Sequence, residues 1–236
     1  MAERVSGKTG PGTTAGQKGE HRIRGVFLDL DGTLADTWED LALAADHVLQ
    51  AENCRPLTRE EGRLKATDGM TALLSCSMGP DLGGRDPARL KEMFLDYYLK
   101  HIHVRTRLFP GMEQVLQGIR ARDLIWGVVT NKPLFLAEPL LASFPELADC
   151  HVLIAHESVK EKKPHPAPLL KAAELAGLPP EDCLYAGDHV RDIMCGRNAG
   201  AVTAAAAWGY IPPEEDPAQW GADHVLSCPE EILPLL

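Results

Sequence analysis

The sequence predicts an α/β protein whose core is a doubly wound parallel sheet, with a helical subdomain inserted into it. Short apolar runs alternate with longer amphipathic segments from Ile23 onward, which is typical of strands joined by helices. Most of the apolar runs end next to Asp, Thr or Gly, and one long interval carries helical patterns alone. Because ligands of such sheets bind at the carboxyl ends of the strands, we expect the functional residues there.

Five apolar runs rich in branched or small residues are the predicted strands. Amphipathic segments between and after them predict the helices that cover both faces of the sheet. This order is typical of a Rossmann-like core. The predicted strands are residues 25–30, 125–130, 151–155, 183–186 and 202–206, and the predicted helices are residues 111–121, 133–144, 166–176 and 190–199.

The interval between the first two strands is too long for a single crossover and contains no convincing strand. Its helical patterns cover residues 37–52, 58–76 and 87–103, and the turns between them are marked by proline and glycine. An inserted helical subdomain accounts for both observations.

This pattern divides the chain into three predicted parts. Residues 22–36 and 106–236 form the α/β core, and residues 37–105 form the inserted helical subdomain. Residues 1–21 are rich in small and polar side chains and bury too little apolar surface to order themselves, so we expect a flexible tail.

Composition and charge exclude several classes of function. The chain is 44% hydrophobic and 25% charged, with a formal net charge of −10, which disfavours nucleic acid as a partner. No apolar run approaches the length of a membrane span or of a secretory signal, so we expect a cytoplasmic protein with no membrane partner. The six cysteines are scattered without a C-x-x-C pair and are interpreted as reduced thiols.

The strongest chemical signal lies at the end of the first predicted strand, where Asp29 and Asp31 are separated by one residue. Two carboxylates at i and i+2 point the same way from a strand, so they require a cation or a proton between them. An ordinary acidic turn would explain Asp31-Gly32. It would not explain why Asp29 lies between apolar neighbours.

Residues 27–34 resemble the first motif, D-x-D-G-T-L, of the haloacid dehalogenase superfamily. Three further segments resemble the other motifs of that superfamily, in order and at the ends of later strands. They are residues 128–131, Lys163-Pro164, and Gly187-Asp188 through Asp192. The resemblance covers residues 23–236.

The resemblance implies a phosphatase acting on a small phosphate ester. It makes Asp29 the nucleophile and Asp31 the acid and then the base. It also implies Mg²⁺ bound by the carboxylates of Asp29 and Asp188 and by the backbone carbonyl of Asp31, with Asp192 outside the direct ligands.

Further roles follow from the same resemblance. Thr130 and the backbone at Asn131 would bind phosphoryl oxygens, and Lys163 would offset the charge of the nucleophile and the transferring group. Thr33 would orient the acid/base residue, although a plain helix N-terminus explains it equally well. The site would then be locally cationic in an acidic chain, which an anionic substrate requires.

Several residues are left with two interpretations. Lys132, Lys160 and Arg191 are either outer contributors of positive charge or ordinary surface charges. The segment Thr67-Asp68-Gly69 lies where the helical cap of related enzymes reaches the active site, but a simple kink between helices would explain it equally well.

The presence of Asp31 disfavours dehalogenation, because a halide leaves without protonation. A phosphosugar mutase, a non-catalytic phosphate-binding module and a regulatory partner protein stay open as alternatives. Residues 126–133, 209–214 and 220–223 resemble the phosphoglycolate phosphatase-like enzymes, and within them the bacterial phosphatases of N-acetylmuramic acid 6-phosphate. That subgroup implies a role in cytoplasmic recycling of cell-wall sugars, and phosphoglycolate is the alternative substrate. Arg55, Arg63 and Lys65 are either partners for a substrate carboxylate or solvated surface charges.

Overall fold

The computed structural model describes residues 22–236, so the predicted tail at 1–21 lies outside the described residues. Eight strands form two sheets, of which the larger has six strands, all parallel. The strands are β1 Gly25–Leu28, β2 Ala35–Asp36, β3 Arg107–Leu108, β4 Ile125–Val129, β5 Val152–Ile154, β6 Cys183–Gly187, β7 Val202–Ala206 and β8 His224–Leu226.

The large sheet has the order β5-β4-β1-β6-β7-β8, which puts β1 at its centre. Backbone pairing continues past the strand ends, since Asp29 N–H donates to Ala186 O at 2.9 Å and Thr130 N–H donates to Ile154 O at 2.8 Å. The segments that follow β1, β4 and β6 therefore meet at one edge of the sheet. This topology creates the crevice in which α/β sheets bind their ligands.

Helices cover both faces of the large sheet, as the amphipathic segments predicted. α7 and α8 pack on one face, where Phe27 and Tyr185 are fully buried, whereas α5 packs on the other face together with a C-terminal 3₁₀ helix. The helices are α1 Trp38–Ala51, α2 Arg59–Lys65, α3 Met70–Met78, α4 Pro87–Lys100, α5 Met112–Ala121, α6 Leu134–Ala142, α7 Ala167–Ala176 and α8 Val190–Ala199.

Helices α1 to α4 are inserted between β2 and β3, which pair antiparallel as the two connections to the core. Asp40 of α1 is fully buried and accepts hydrogen bonds from the backbone N–H groups of Val104, Arg105 and Thr106. This carboxylate therefore links the first helix of the insertion to the segment that leads back to the core. The exact boundaries at 37 and 105 stay a prediction.

The predicted helix over residues 58–76 is divided in the structure. Thr58 begins α2 with a capping box to Glu61, and a 3₁₀ turn at Ala66–Asp68 follows α2. Gly69, with a φ of 82°, then starts α3. A left-handed backbone at that position suits glycine and stops the helix, so the pattern was helical but not continuous.

The structure confirms the predicted α/β class, the parallel sheet and the five core strands to within two residues at each end. The short strands β2, β3 and β8 were not predicted. Among the residues that the structure describes, no helix is long and apolar enough to cross a membrane.

Candidate active site

The turn after β1 folds the chain back on itself and brings Asp29 and Gly32 close to Asp188. Leu34 N–H donates to Asp29 O at 3.2 Å, and Gly32 has a φ of 87°. A Cβ at Gly32 would lie 2.1 Å from Asp188 Oδ2, so the glycine allows both the turn geometry and the close approach of Asp188.

The side chain of Lys163 lies between two carboxylates beneath this turn. Its Nζ is 2.8 Å from Asp29 Oδ1 and 2.6 Å from Asp192 Oδ1, and its side chain is 1% exposed. Asn131 fixes the backbone of Lys163, because its Nδ2 donates to Lys163 O at 3.2 Å and its Oδ1 accepts from Lys163 N–H at 3.1 Å. The Asn131 side chain thus positions the lysine, a role that the sequence did not predict.

Burial and charge oppose each other in this cluster. Burial lowers the pKa of Lys163, but Asp192 and Asp29 outweigh it, so the pKa rises above its usual value. Burial raises the pKa of Asp29 to about 6, although the Lys163 ammonium pulls it down. Both groups are therefore charged at neutral pH for the most part, and Asp29 is ionised enough to act as a nucleophile.

Asp188 is held against the turn by two donors. Thr33 Oγ1 donates to its Oδ1 at 3.2 Å, and Tyr210 N–H donates to its Oδ2 at 2.9 Å. Burial, followed by the charges of Asp29 and Asp192, raises the pKa of Asp188 to about 8. The carboxylate is thus costly to ionise in the protein alone.

One oxygen each from Asp29, Asp188 and Asp192 lies within 4.8 Å of the others, and all three residues are buried. Asp29 Oδ1 contacts Lys163 as an ion pair but receives no hydrogen bond of good geometry. Three carboxylates that crowd together, one of them with an oxygen that lacks a hydrogen-bond donor, fit a divalent cation such as Mg²⁺. The described residues can therefore hold a metal here.

Asp31 has partners that differ from those predicted. Lys132 Nζ lies 2.9 Å from Asp31 Oδ1, and Thr37 Oγ1 donates to the same oxygen at 2.6 Å. The hydroxyl that contacts Asp31 therefore belongs to Thr37, whereas Thr33, the group predicted to orient the acid/base residue, bonds to Asp188. The turn after β1 points the Thr33 hydroxyl toward β6 rather than back along the loop.

The three basic residues with two interpretations differ in their burial and in their distance from the site. Lys132 is buried beside Asp31, which settles its two interpretations against a surface charge. Arg191 donates from Nη2 to Thr67 O at 2.8 Å, and it lies 3.7 Å from Asp68, so it links α8 to the turn before Gly69. Lys160 has a 91% exposed side chain and is a surface charge.

The three residues of the insertion that were candidate partners for a substrate carboxylate are either bonded to other groups or exposed at the surface. Arg55 pairs with Glu61 at 2.6 Å on the exposed side of α2. Arg63 donates to Gly209 O at 2.8 Å, and Lys65 is exposed. Arg63 thus connects the inserted helices to the core.

Sequence reasoning missed Tyr98 and Tyr210, which reach the site from distant parts of the chain. The hydroxyl of Tyr98, in α4, lies 3.0 Å from Lys132 Nζ. The hydroxyl of Tyr210 accepts from the N–H groups of Thr37 and Trp38 and so caps α1 in place of the Thr37 side chain. A tyrosine in an apolar pattern carries no local sign of such contacts.

The α/β fold and the acidic residues at the edge of its sheet agree with the haloacid dehalogenase superfamily, which the sequence motifs indicated. Comparison with known proteins gives the same family. The profile of the haloacid dehalogenase-like hydrolase family matches residues 26–206. The chain belongs to this family.

Individual relatives narrow the class to phosphatases. An N-acetylmuramic acid 6-phosphate phosphatase of Pseudomonas aeruginosa is 37% identical over 215 residues, which cover 91% of this chain and 95% of the relative. A phosphoglycolate phosphatase of Xylella fastidiosa is 38% identical over 213 residues, with 88% and 93% covered. The chain is a phosphoric monoester hydrolase.

Solved structures confirm the fold. A structure described as a predicted phosphoglycolate phosphatase from Haemophilus somnus superposes with a TM-score of 0.82 at 26% identity. The superposition covers 93% of this chain and 99% of that one. It includes the inserted helices as well as the α/β core, since so little of either chain is left out.

Proposed function

We propose that this protein is a Mg²⁺-dependent phosphatase that forms an aspartyl-phosphate on Asp29, with N-acetylmuramic acid 6-phosphate as its substrate. The observation that carries the proposal is the buried Asp29, which lies 2.8 Å from Lys163 and beside the carboxylates of Asp188 and Asp192. A nucleophile, a cation and a metal-binding cluster meet at the carboxyl end of the central strand, where this fold binds ligands.

Mg²⁺ would be held by the carboxylates of Asp29 and Asp188 and by the backbone carbonyl of Asp31. The bound ion would supply positive charge to the phosphoryl oxygens. Asp192 is placed to hold Lys163 rather than the ion, because its Oδ1 lies 2.6 Å from Lys163 Nζ and its Oδ2 accepts from His189 N–H.

In the first chemical step, a carboxylate oxygen of Asp29 attacks phosphorus opposite the leaving oxygen. The new O–P bond gives the aspartyl-phosphate, and the P–O bond of the ester breaks. Asp31 gives its proton to the departing alkoxide. Lys163 stabilises the negative charge on the nucleophile and the transferring group, and Thr130 with the backbone at Asn131 binds phosphoryl oxygens.

In the second step, Asp31 takes a proton from a water molecule as that water attacks the aspartyl-phosphate. Inorganic phosphate leaves and Asp29 is regenerated as a carboxylate. The same side chain thus serves as acid and then as base, and it regains from water the proton that it gave to the alcohol.

The inserted helices act as a cap that excludes water and contacts the leaving group in this proposal. Two contacts support it, because Arg191 of the core bonds to Thr67 O and Arg63 of the insertion bonds to Gly209 O. In this proposal the turn Thr67-Asp68-Gly69, which Arg191 contacts, is the part of the cap that meets the substrate. Exclusion of water strengthens the charge interactions in the site.

The choice of substrate rests on the Pseudomonas aeruginosa relative, which is similar along 91% of this chain, inserted helices included. It implies recycling of cell-wall sugars in the cytoplasm. Phosphoglycolate is the second candidate, because the Xylella fastidiosa relative of that name is 38% identical.

Steady-state kinetics on both compounds at one pH and one Mg²⁺ concentration test the proposal. We expect a higher kcat/KM for N-acetylmuramic acid 6-phosphate and no hydrolysis of either compound in excess chelator. A preference for phosphoglycolate would replace the substrate but keep the mechanism. Full activity in chelator would contradict the role of Mg²⁺, and no turnover of any phosphate ester would contradict the mechanism itself.

A further inference from the structure

Lys132 is a buried lysine whose charge faces the proposed acid/base residue. It follows β4 and its side chain is 5% exposed. Its Nζ lies 2.9 Å from Asp31 Oδ1 and 3.2 Å from Asp31 Oδ2, so both oxygens of the carboxylate meet the same ammonium. Lys163 serves the nucleophile Asp29, which means that each of the two aspartates has its own lysine.

The backbone of Lys132 is fixed on both sides. Its N–H donates to Thr130 Oγ1 at 3.1 Å, and its carbonyl accepts from His156 N–H at 3.1 Å. The ammonium is therefore delivered to Asp31 from a rigid backbone rather than from a mobile loop. Such support is what a positioning group needs, since small displacements at a reacting centre are costly.

Tyr98 of α4 supports the lysine from the inserted helices. Its hydroxyl lies 3.0 Å from Lys132 Nζ, and its ring centroid lies 4.9 Å from the same atom. The tyrosine is fully buried. Ammonium, hydroxyl and aromatic ring thus form one packed unit that leaves Lys132 little freedom to turn away from Asp31.

Thr37 completes the surroundings of Asp31. The residue stands at the N-terminus of α1, but its hydroxyl makes no cap to that helix and donates to Asp31 Oδ1 at 2.6 Å. The chain therefore directs two separate groups onto one carboxylate. Buried ion pairs add little net stability compared with apolar packing, so a contribution to stability alone does not explain this arrangement.

We propose that Lys132, supported by Tyr98, is a positioning residue that fixes the side chain of Asp31, which carries a proton when the first step begins, for proton transfer to the leaving oxygen. This inference rests on the proposed function, in which Asp31 protonates the alkoxide. Without Lys132, Asp31 keeps the hydrogen bond from Thr37 but loses the ammonium that contacts both of its oxygens, so its carboxyl group can turn away from the leaving oxygen. The binding of the phosphoryl group itself is left intact.

The test compares an alkyl phosphate with p-nitrophenyl phosphate in single-turnover release of the alcohol. An alkoxide needs the proton from Asp31, whereas p-nitrophenolate leaves without it. For Lys132→Met we expect a loss of about 10²-fold on the alkyl ester and of less than about tenfold on p-nitrophenyl phosphate. Asp31→Asn serves as the reference for this pattern.

Three further variants separate positioning from other roles. Lys132→Arg keeps the charge and should recover part of the alkyl rate. Tyr98→Phe removes one hydroxyl and should give the same pattern as Lys132→Met to a smaller extent. Lys171→Met is the matched control, because Lys171 lies in α7 and pairs with Glu174 at the surface, and its rates should equal those of the parent.

Equal losses on the two esters, or a rise in KM without a change in the maximal rate, would overturn the positioning role. If Lys132→Met does not fold, Tyr98→Phe is used instead. A larger loss on the alkyl ester than on p-nitrophenyl phosphate then supports the positioning role, and equal losses overturn it. A parent protein that releases alcohol from neither ester would contradict the proposed function, and the positioning role with it. An active parent with equal losses in the variants would contradict the positioning role alone.

Discussion

Replacing Lys163 by Met should destabilise the protein strongly as well as inactivate it. In the parent, Lys163 Nζ lies 2.8 Å from Asp29 Oδ1 and 2.6 Å from Asp192 Oδ1, and the lysine side chain is 1% exposed. Methionine fills a similar volume but carries no charge. The substitution therefore leaves two buried carboxylates without their shared cation.

The expected loss of stability follows from that burial. Removing one partner of a buried ion pair costs about 3–5 kcal/mol, because the remaining charge stays buried and uncompensated. For a domain of this size each 1 kcal/mol lowers Tm by about 2–4 °C, so the expected fall in Tm is roughly 6–20 °C. Without Lys163, the pKa of Asp29 rises above its present value of about 6.

The sign of the pH dependence follows from Asp29. Without the ammonium its pKa rises further, so the folded Lys163→Met variant keeps a proton on Asp29 at pH values at which the unfolded chain has already lost it. The contribution of this group to stability is present in full below its unfolded pKa and is lost as pH rises through its folded pKa. The destabilisation relative to the parent should therefore be larger at pH 8 than at pH 6.

Thermal unfolding in chelator at pH 6 and pH 8 measures this prediction. Lys162→Met is the matched control, because Lys162 is the neighbouring lysine and is exposed. Adding Asp192→Asn to Lys163→Met removes one unpaired carboxylate and should restore about half of the lost stability, but no activity. A loss below about 1 kcal/mol in the single variant would refute the reasoning, because that is the range of exposed ion pairs.

Three further predictions concern other parts of the site. Asp29→Asn should abolish turnover with unchanged circular dichroism, and turnover within about tenfold of the parent would contradict the role of Asp29 as nucleophile. Mg²⁺ should raise Tm more at pH 8 than at pH 6, because burial raises the pKa of Asp188 to about 8 and protons compete with the ion below that value; an equal rise at both pH values would count against metal binding there. Tyr210→Phe should cost about 2–4 kcal/mol in urea unfolding, because it leaves the N–H groups of Thr37 and Trp38 without their acceptor, and an unchanged midpoint would disprove that cap.

The core of the fold could be predicted because its signals are local. Each of the five predicted strands is an apolar run whose residues are mostly buried on both faces, as in β6, where all five residues are buried. β2 and β3 have two residues each, and they pair Asp36 with Arg107 across the whole insertion. Such a pair has no periodicity to detect.

Three residues of the candidate site could be predicted because they follow strands directly. Asp29, Thr130 and Asp188 stand directly after β1, β4 and β6, so topology alone brings them together. Lys132 and Tyr98 could not be predicted as partners. Their contact joins residues 34 positions apart, and burial rather than spacing turns the lysine toward Asp31.

The carboxylate cluster shows why an acidic chain can bind a phosphate ester. Asp29, Asp188 and Asp192 crowd together, Lys163 pairs with only two of them, Asp29 and Asp192, and the chain as a whole carries a formal charge of −10. Without further positive charge, a phosphate dianion would be repelled at short and at long range.

Burial, together with the excess of negative charge in the cluster, also raises the pKa of Asp188. Burial and the charges of Asp29 and Asp192 favour a proton on this carboxyl up to about pH 8 in the protein alone. A divalent cation would relieve the same repulsion without a proton and, together with Lys163, would neutralise the three carboxylates, so that a phosphate group no longer meets a net negative site. Apolar residues in these positions would pack at a lower cost, so we infer that the cluster is retained for the ligand it binds rather than for the stability of the sheet.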